Sequence, residues 1–383
     1  MKRGNGTLLL LGIAHSLNHS LFLVLPPLLE EISRDLGASY QTLGTVTTVA
    51  FFLYGLGSLI GGPLSDRIGH TKVASISVGF AGASTLLFLL PGGLPVFSAG
   101  LWIVAAWASF YHPTANTLIA RLFPGNTARS MGVHGASASV GQMFTPTVAY
   151  FIGVSLHWRY AFVFLGALSV VTSVVMQWIP PVSDPASSGG TPLFRILKVP
   201  GLWILILYNV VIGLFQRGVE LFFPTFLMTE RGFTGQTAAI INSALLFFGV
   251  AGQLFGGWAS DRYTSKRFLV VASAGMVVSM MGLLLLPMGG LGVGVFLLMY
   301  GVFFFGHQPT MTSLLGRVSP IELMGMAYGV MFFFAFGLGS VSTTIAGYLA
   351  DTFDLVAVFW IMTLFSSMAL VISISILKII DRE

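Results

Sequence analysis

Apolar residues fall in twelve long runs, near 7–29, 41–62, 73–91, 95–120, 129–153, 159–179, 201–228, 236–258, 268–288, 291–315, 324–349 and 354–377. Each is long enough to cross a hydrocarbon core about 30 Å thick. A backbone in lipid must satisfy its own N–H and C=O groups, so each run is predicted to be a transmembrane helix. The polar intervals are short, with one exception. From Pro180 to Pro200 the chain reads PPVSDPASSGGTPLFRILKVP, rich in Pro, Ser and Gly, the composition of a linker. The expected organisation is therefore an N-terminal six-helix bundle over 1–179, a cytoplasmic linker over 180–200 and a C-terminal six-helix bundle over 201–383.

The two halves repeat in register. GGPLSDR at Gly61 to Arg67 returns as GGWASDR at Gly256 to Arg262, and at the same offset of 195 His112 returns as His307 and Gln41 as Gln236. An all-α membrane protein of twelve helices in two pseudo-symmetric bundles follows, an architecture known among secondary transporters.

Composition narrows the reading. Charged residues are 8% of the chain and hydrophobic ones 55%, too few charges to disperse a protein of 383 residues in water. The formal charge of +5 is spread singly between apolar runs, so it reads as topology and not as a nucleic-acid surface. Arg67, Lys72, Arg121, Arg129, Arg195, Lys198, Arg262, Lys266, Arg267 and Arg317 fall in intervals on one side, with Lys2, Arg3, Lys378 and Arg382 at the ends, whereas only Arg34, Arg159 and Arg231 fall on the other. Basic residues stay in the cytoplasm, which places both termini there and the protein in the inner (cytoplasmic) membrane. Met1-Lys2-Arg3 before an apolar run has the look of a leader, but is read as the start of the first span. The chain has no cysteine, which excludes disulfides, thiolate metal sites and thiol nucleophiles. No glycine-rich phosphate loop with a lysine is present, so no nucleotide cofactor is expected, and no nucleophile-base motif points to an enzyme.

Ionisable groups inside a span cost at least about 2.5–3.5 kcal/mol each, so they are the candidates for function. Two formal charges qualify, Arg217 and Glu220 in the seventh run, three residues apart and so on one helical face. Arg217 is read as the anchor for an anionic group of a small solute, and Glu220 as the proton-carrying group whose charge state follows occupancy of the arginine. The alternative is a structural ion pair. In the first run His15, Asn18 and His19 share a face, and an offset of 198 that aligns Pro26 with Pro224 sets Asn18 against Gln216 and His19 against Arg217. His19 and His15 are further candidates for proton coupling. His112 and His307 each precede a proline, Pro113 and Pro309, whose kink frees backbone carbonyls. With Arg217 and His19, these two histidines, Asn18, Gln216, Tyr111 and Gln308 make up the expected substrate-binding set; His134, Gln142, Asn209, Asn242 and Tyr328 are weaker lining candidates. His15 and His19 have the i, i+4 spacing of a metal pair, but no carboxylate cluster accompanies them in the helix, and no metal is expected.

Gly62-Pro63-Leu64-Ser65-Asp66-Arg67-Ile68-Gly69-His70-Thr71-Lys72 resembles the signature loop of the major facilitator superfamily, with Ser65 and His70 as departures. The resemblance implies the major facilitator fold, alternating access and a gating role for Asp66, Arg67, Asp261 and Arg262. It also implies that spans one, four, seven and ten surround a central cavity, toward which His112 and His307 would face. Gly132, Gly141 and Pro146 resemble the antiporter motif of drug exporters, although Thr145 and Ala149 replace its glycines. Within the superfamily, AHSLNHSLFLVLPPLL near His15, FYHPTANTLIARL near His112 and the stretch Gly329 to Asp351 are similar to the fosmidomycin-resistance-like branch. That branch is linked with drug export. The superfamily's usual basic residue in the fourth span is absent, since Leu101 to Thr117 holds no Arg or Lys. The expectation is a monomeric secondary transporter whose partners are a small anionic or amphipathic compound, protons and the lipid bilayer. Proton-coupled efflux is the leading form, uptake of a carboxylate or phosphorylated nutrient the alternative, and a membrane enzyme or receptor on the same fold the reading from another class.

Overall fold

Proline sets the shape of the first span. Helix Lys2–Leu23 gives way to a 3-10 turn at Pro26–Leu28 and resumes at Leu29–Leu36, because Pro26 and Pro27 bring no N–H to the helical ladder. The span ends where Gly37 takes a left-handed φ of 58°. The computed structural model describes residues 2–123, 127–179, 198–199, 201–286, 290–320 and 324–379. The expected linker over 180–200 lies almost wholly outside them. Among the described residues eleven helices are long and apolar enough to cross a membrane. A further helix, Thr127–Ser155, has the length at 29 residues but carries Ser, Gly, His134 and Gln142 among its apolar positions. It takes fifth place in the order, and the chain is a multi-pass, all-helical membrane protein.

The spans gather into two compact units. The first holds Met1–Ala38 and Val46–Gly190, the second Ser39–Thr45 and Thr191–Glu383. In the first unit the first span packs chiefly on the fifth and the third on the sixth. Small residues allow this: a Cβ on Gly82 in the third span would meet Ser169 at 2.7 Å, and Ser75 and Ser173 exchange hydroxyl-to-carbonyl bonds of 2.9 and 2.7 Å. In the second unit the seventh span packs on the twelfth and the eighth on the tenth. Here too side chains close the gaps, with the Tyr208 hydroxyl 3.0 Å from that of Ser273 and Ser260 2.6 Å from Thr310. The short stretch Ser39–Thr45 belongs to this unit because Asp351 accepts the backbone N–H of Tyr40 (3.0 Å) and of Gln41 (2.7 Å), capping a helix start from another span.

The repeat is explained by packing. In the first unit Gly61 lies against the fourth span, where an added Cβ would stand 3.0 Å from Phe110 Cα; in the second, Gly256 lies against the backbone of Gly306 in the tenth span. The turn after each of these helices repeats as well. Gly69 has φ 98° and ψ 134°, and its counterpart Thr264 has φ 109° and ψ 136°. Glycine occupies that region freely, but a β-branched residue is strained there. Thr264 is the one non-glycine residue of positive φ among the described residues.

Later spans are irregular too. The fourth breaks between Gly93–Ala108 and Tyr111–Leu122, two residues before Pro113. The tenth contains a π-helical turn at Tyr300–Phe304 and the eleventh another at Phe333–Leu338. Such turns free or redirect carbonyls and recur at functional sites.

Replacing Thr264 with Gly is expected to raise stability by about 1 kcal/mol, since relief of about 1–3 kcal/mol of strain exceeds the about 0.5–1 kcal/mol of extra glycine entropy. Thermal unfolding in detergent measures it, and a lower midpoint than wild type would refute the strain.

Candidate functional site

The break in the fourth span and the face of the first meet in the first unit. Asn18 is 2% exposed, and its amide donates to the carbonyl of Ala108 at 2.9 Å, at the point where the fourth helix stops. The hydroxyl of Tyr54 in the second span donates to Asn18 Oδ1 at 2.7 Å. Asn18 thus ties three spans together. Tyr111, just past the break, donates to the Leu11 carbonyl at 2.5 Å and stands 3.2 Å from His134 Nε2. These two members of the expected binding set are engaged by the bundle itself.

Around them lie four imidazoles. His15 stacks on His134 with ring centroids 4.2 Å apart, and its Nδ1 is 3.2 Å from the His134 carbonyl. His112 stands 4.8 Å from His15 and 5.0 Å from His19 by ring centroid, and His15 and His19 are 5.0 Å apart. Ligand nitrogens of His15, His19 and His112 all lie within 4.8 Å of one another. The helical spacing shows the first two on one face, while only the packing of the fourth span brings in the third.

The second unit holds the charges. Arg217 is 6% exposed and its Nη1 donates to Glu220 Oε2 at 2.7 Å, while Gln216 Nε2 reaches the same oxygen at 3.3 Å. Glu220 is 24% exposed, so the carboxylate is the more accessible partner. The guanidinium lies over the ring of Phe336 at 4.9 Å, a cation–π contact from the π-helical turn of the eleventh span. Gln308 Oε1 accepts from Gln253 at 3.2 Å, bridging the tenth and eighth spans. His307 is 3% exposed, with its Nδ1 hydrogen-bonded to the Phe304 carbonyl at the end of the π-helical turn. Asn209 turns back on its own helix, donating to Leu205 at 2.9 Å, and Tyr328 donates to Thr312 at 3.0 Å.

At the signature loop Asp66 stands 3.5 Å from His70 Nε2 and 3.8 Å from Arg121 Nη2. Arg67 and Arg262 are exposed, and the side chain of Asp261 lies outside the described residues. Arg121 was legible only as a topology-setting charge; its contact with Asp66 depends on how the fourth span packs. Tyr54 and Phe336 carry no signal in sequence that separates them from the chain's many other aromatics.

A family model described as Major Facilitator Superfamily matches residues 8–344. The chain belongs to that superfamily. As a member it is a transporter and not an enzyme. It is 24% identical to the D-galactonate transporter of Escherichia coli over 360 residues, covering 84% of this chain and 83% of that protein. It is 27% identical to the gentisate transporter of Corynebacterium glutamicum over 337 residues, covering 83% and 74%. Among solved structures it resembles the nucleoside transporter NupG with a TM-score of 0.82 at 14% identity, over 97% of this chain and 99% of that one, a likeness of fold.

Because Asn18 supplies both a donor to Ala108 and an acceptor to Tyr54, its replacement by Ala is expected to cost about 1–3 kcal/mol. A thermal-shift cycle with Tyr54→Phe checks it: the double variant should lose less than the two singles together.

Proposed function

We propose that this chain is a proton-coupled secondary transporter of small organic anions that works by alternating access, with Arg217 as the anion anchor and Glu220 as its proton-carrying partner. The observation that carries the reading is the Arg217–Glu220 pair, a buried guanidinium held by a carboxylate at 2.7 Å inside a predominantly apolar helix. Arginine offers a carboxylate two parallel N–H donors. The D-galactonate and gentisate transporters are named for carboxylates, which agrees with such an anchor.

The sign of the coupling follows from competition. An anionic solute and ionised Glu220 are rival partners for one guanidinium. Protonating Glu220 releases Arg217 to the solute, and a bound solute in turn makes Glu220 easier to protonate, because linkage between two sites is reciprocal. Proton and anion therefore bind together, which is symport. With an inward proton gradient the result is uptake of the anion. A second reading, efflux of an anionic or amphipathic compound, is supported by the likeness of the segments near His15, His112 and Gly329 to the fosmidomycin-resistance-like branch. In either form Gln216 and Gln308 are proposed to line the path beside Arg217 in the second unit, and His19 and His112 to meet solute in the first. Asp66 and Arg121, with Arg67, Asp261 and Arg262, are proposed to gate it. Both termini are assigned to the cytoplasm of an inner membrane from the bias of Lys and Arg.

Replacing Arg217 with Gln is expected to weaken binding of a carboxylate solute about 10–100-fold, the equivalent of one charge-assisted contact, with the fold retained in detergent. Calorimetric titration against a panel of carboxylates measures this; equal affinity in both proteins would remove the anchor. For Glu220→Gln, a pH gradient should no longer drive accumulation into proteoliposomes, while exchange of labelled for unlabelled solute continues. Binding to wild type should tighten as pH falls, and binding to this variant should not change with pH. Gradient-driven accumulation by the variant would place the proton elsewhere.

A further inference from the structure

The geometry points to a binding site for a divalent transition-metal ion, of the zinc class, formed by His15, His19 and His112 in the first unit. Three observations converge on it. The first is proximity: the ligand nitrogens of the three lie within 4.8 Å of one another, and the ring centroids form a near-equilateral triangle of 4.8 to 5.0 Å. Tetrahedral zinc with Zn–N distances of about 2.0–2.1 Å needs nitrogens about 3.4 Å apart, so inward rotation of the rings by about an ångström closes the site. The second is tautomer. His15 Nδ1 faces the carbonyl of His134 at 3.2 Å, so it carries the proton and leaves the Nε2 lone pair for a ligand. An imidazole oriented by a backbone carbonyl in this way is the usual outer-shell arrangement of a metal-binding histidine. The third is access, since His19 is only partly buried.

The donor set selects the metal. Three neutral imidazoles suit Zn, Ni or Cu and not Mg or Ca, which require oxygen ligands. A site with three protein ligands keeps its fourth position open to water or a solute atom. His15 and His19 come from the first span and His112 from the fourth, so an ion would staple these two helices beside the break that Asn18 already bridges. The absence of cysteine from the chain leaves no thiolate to compete for a soft ion. The inference does not rest on the Arg217 anchor, which lies in the other unit, although it draws on two histidines also proposed to meet solute.

The test uses zinc chloride with the full-length protein in detergent, freed of metal by chelation. Zinc is expected to raise the midpoint of thermal unfolding, and competition with a chromogenic chelator to give one ion per chain. Loss of a ligand in His19→Gln or His112→Gln should weaken zinc binding by more than the about 10–100-fold typical of an outer-shell change. Both variants should unfold near the wild-type temperature when zinc is absent, which separates loss of the site from loss of the fold. Arg217→Gln should keep the zinc response in full. Absence of any zinc-dependent shift in wild type would overturn the proposal, as would a shift that survives in His19→Gln/His112→Gln.

Discussion

Hydrocarbon offers no hydrogen-bond partner, so every polar group that this chain carries into the membrane must be answered by another part of the chain. The fourth span shows the rule at work. Its helix stops at Ala108, and the carbonyl exposed there is met by the Asn18 amide at 2.9 Å from a different helix. Tyr111 is answered by the Leu11 carbonyl, Thr343 by that of Gly44 at 2.8 Å, and Ser75 and Ser173 by each other. Irregular backbone is tolerated where a side chain has been supplied to meet it.

The duplication divides the chemistry. A common packing frame recurs at an offset of 195, with glycine against the fourth span in one unit and against the tenth in the other. On that frame the first unit places imidazoles, and the second places a guanidinium, a carboxylate and aromatic rings. Thr264 marks how far the copies have parted: the backbone keeps the conformation of Gly69 although the residue no longer suits it. A turn that persists against its own residue's preference is held by the helices on either side of it.

Legibility in the sequence followed the range of the interaction. The spans were plain from the length of their apolar runs, and the pairing of Arg217 with Glu220 from a spacing of three, because both depend on neighbours along one helix. What depended on rotation of one helix against another was not legible. Spacing along the chain gave no distance between His112 and His19, nor any sign of Arg121 reaching Asp66 or of Asp351 capping the helix that starts at Tyr40. The π-helical turns were equally hidden, since Tyr300–Phe304 and Phe333–Leu338 sit in aromatic-rich apolar stretches with no proline. Spacing along one helix groups only His15 and His19, and the third imidazole of the inferred metal site comes from a span about ninety residues further on.

The Arg217–Glu220 pair also bears on why it is there at all. A structural ion pair in a membrane protein earns its desolvation cost by joining helices, yet these two residues share the seventh span and their 2.7 Å bond lies along one helix. Such a bond adds nothing to association between spans. Toward the eleventh span the guanidinium face lies on Phe336. On the proposed mechanism the carboxylate is the partner that is exchanged, because the accessible side of the pair is the side that would have to let go.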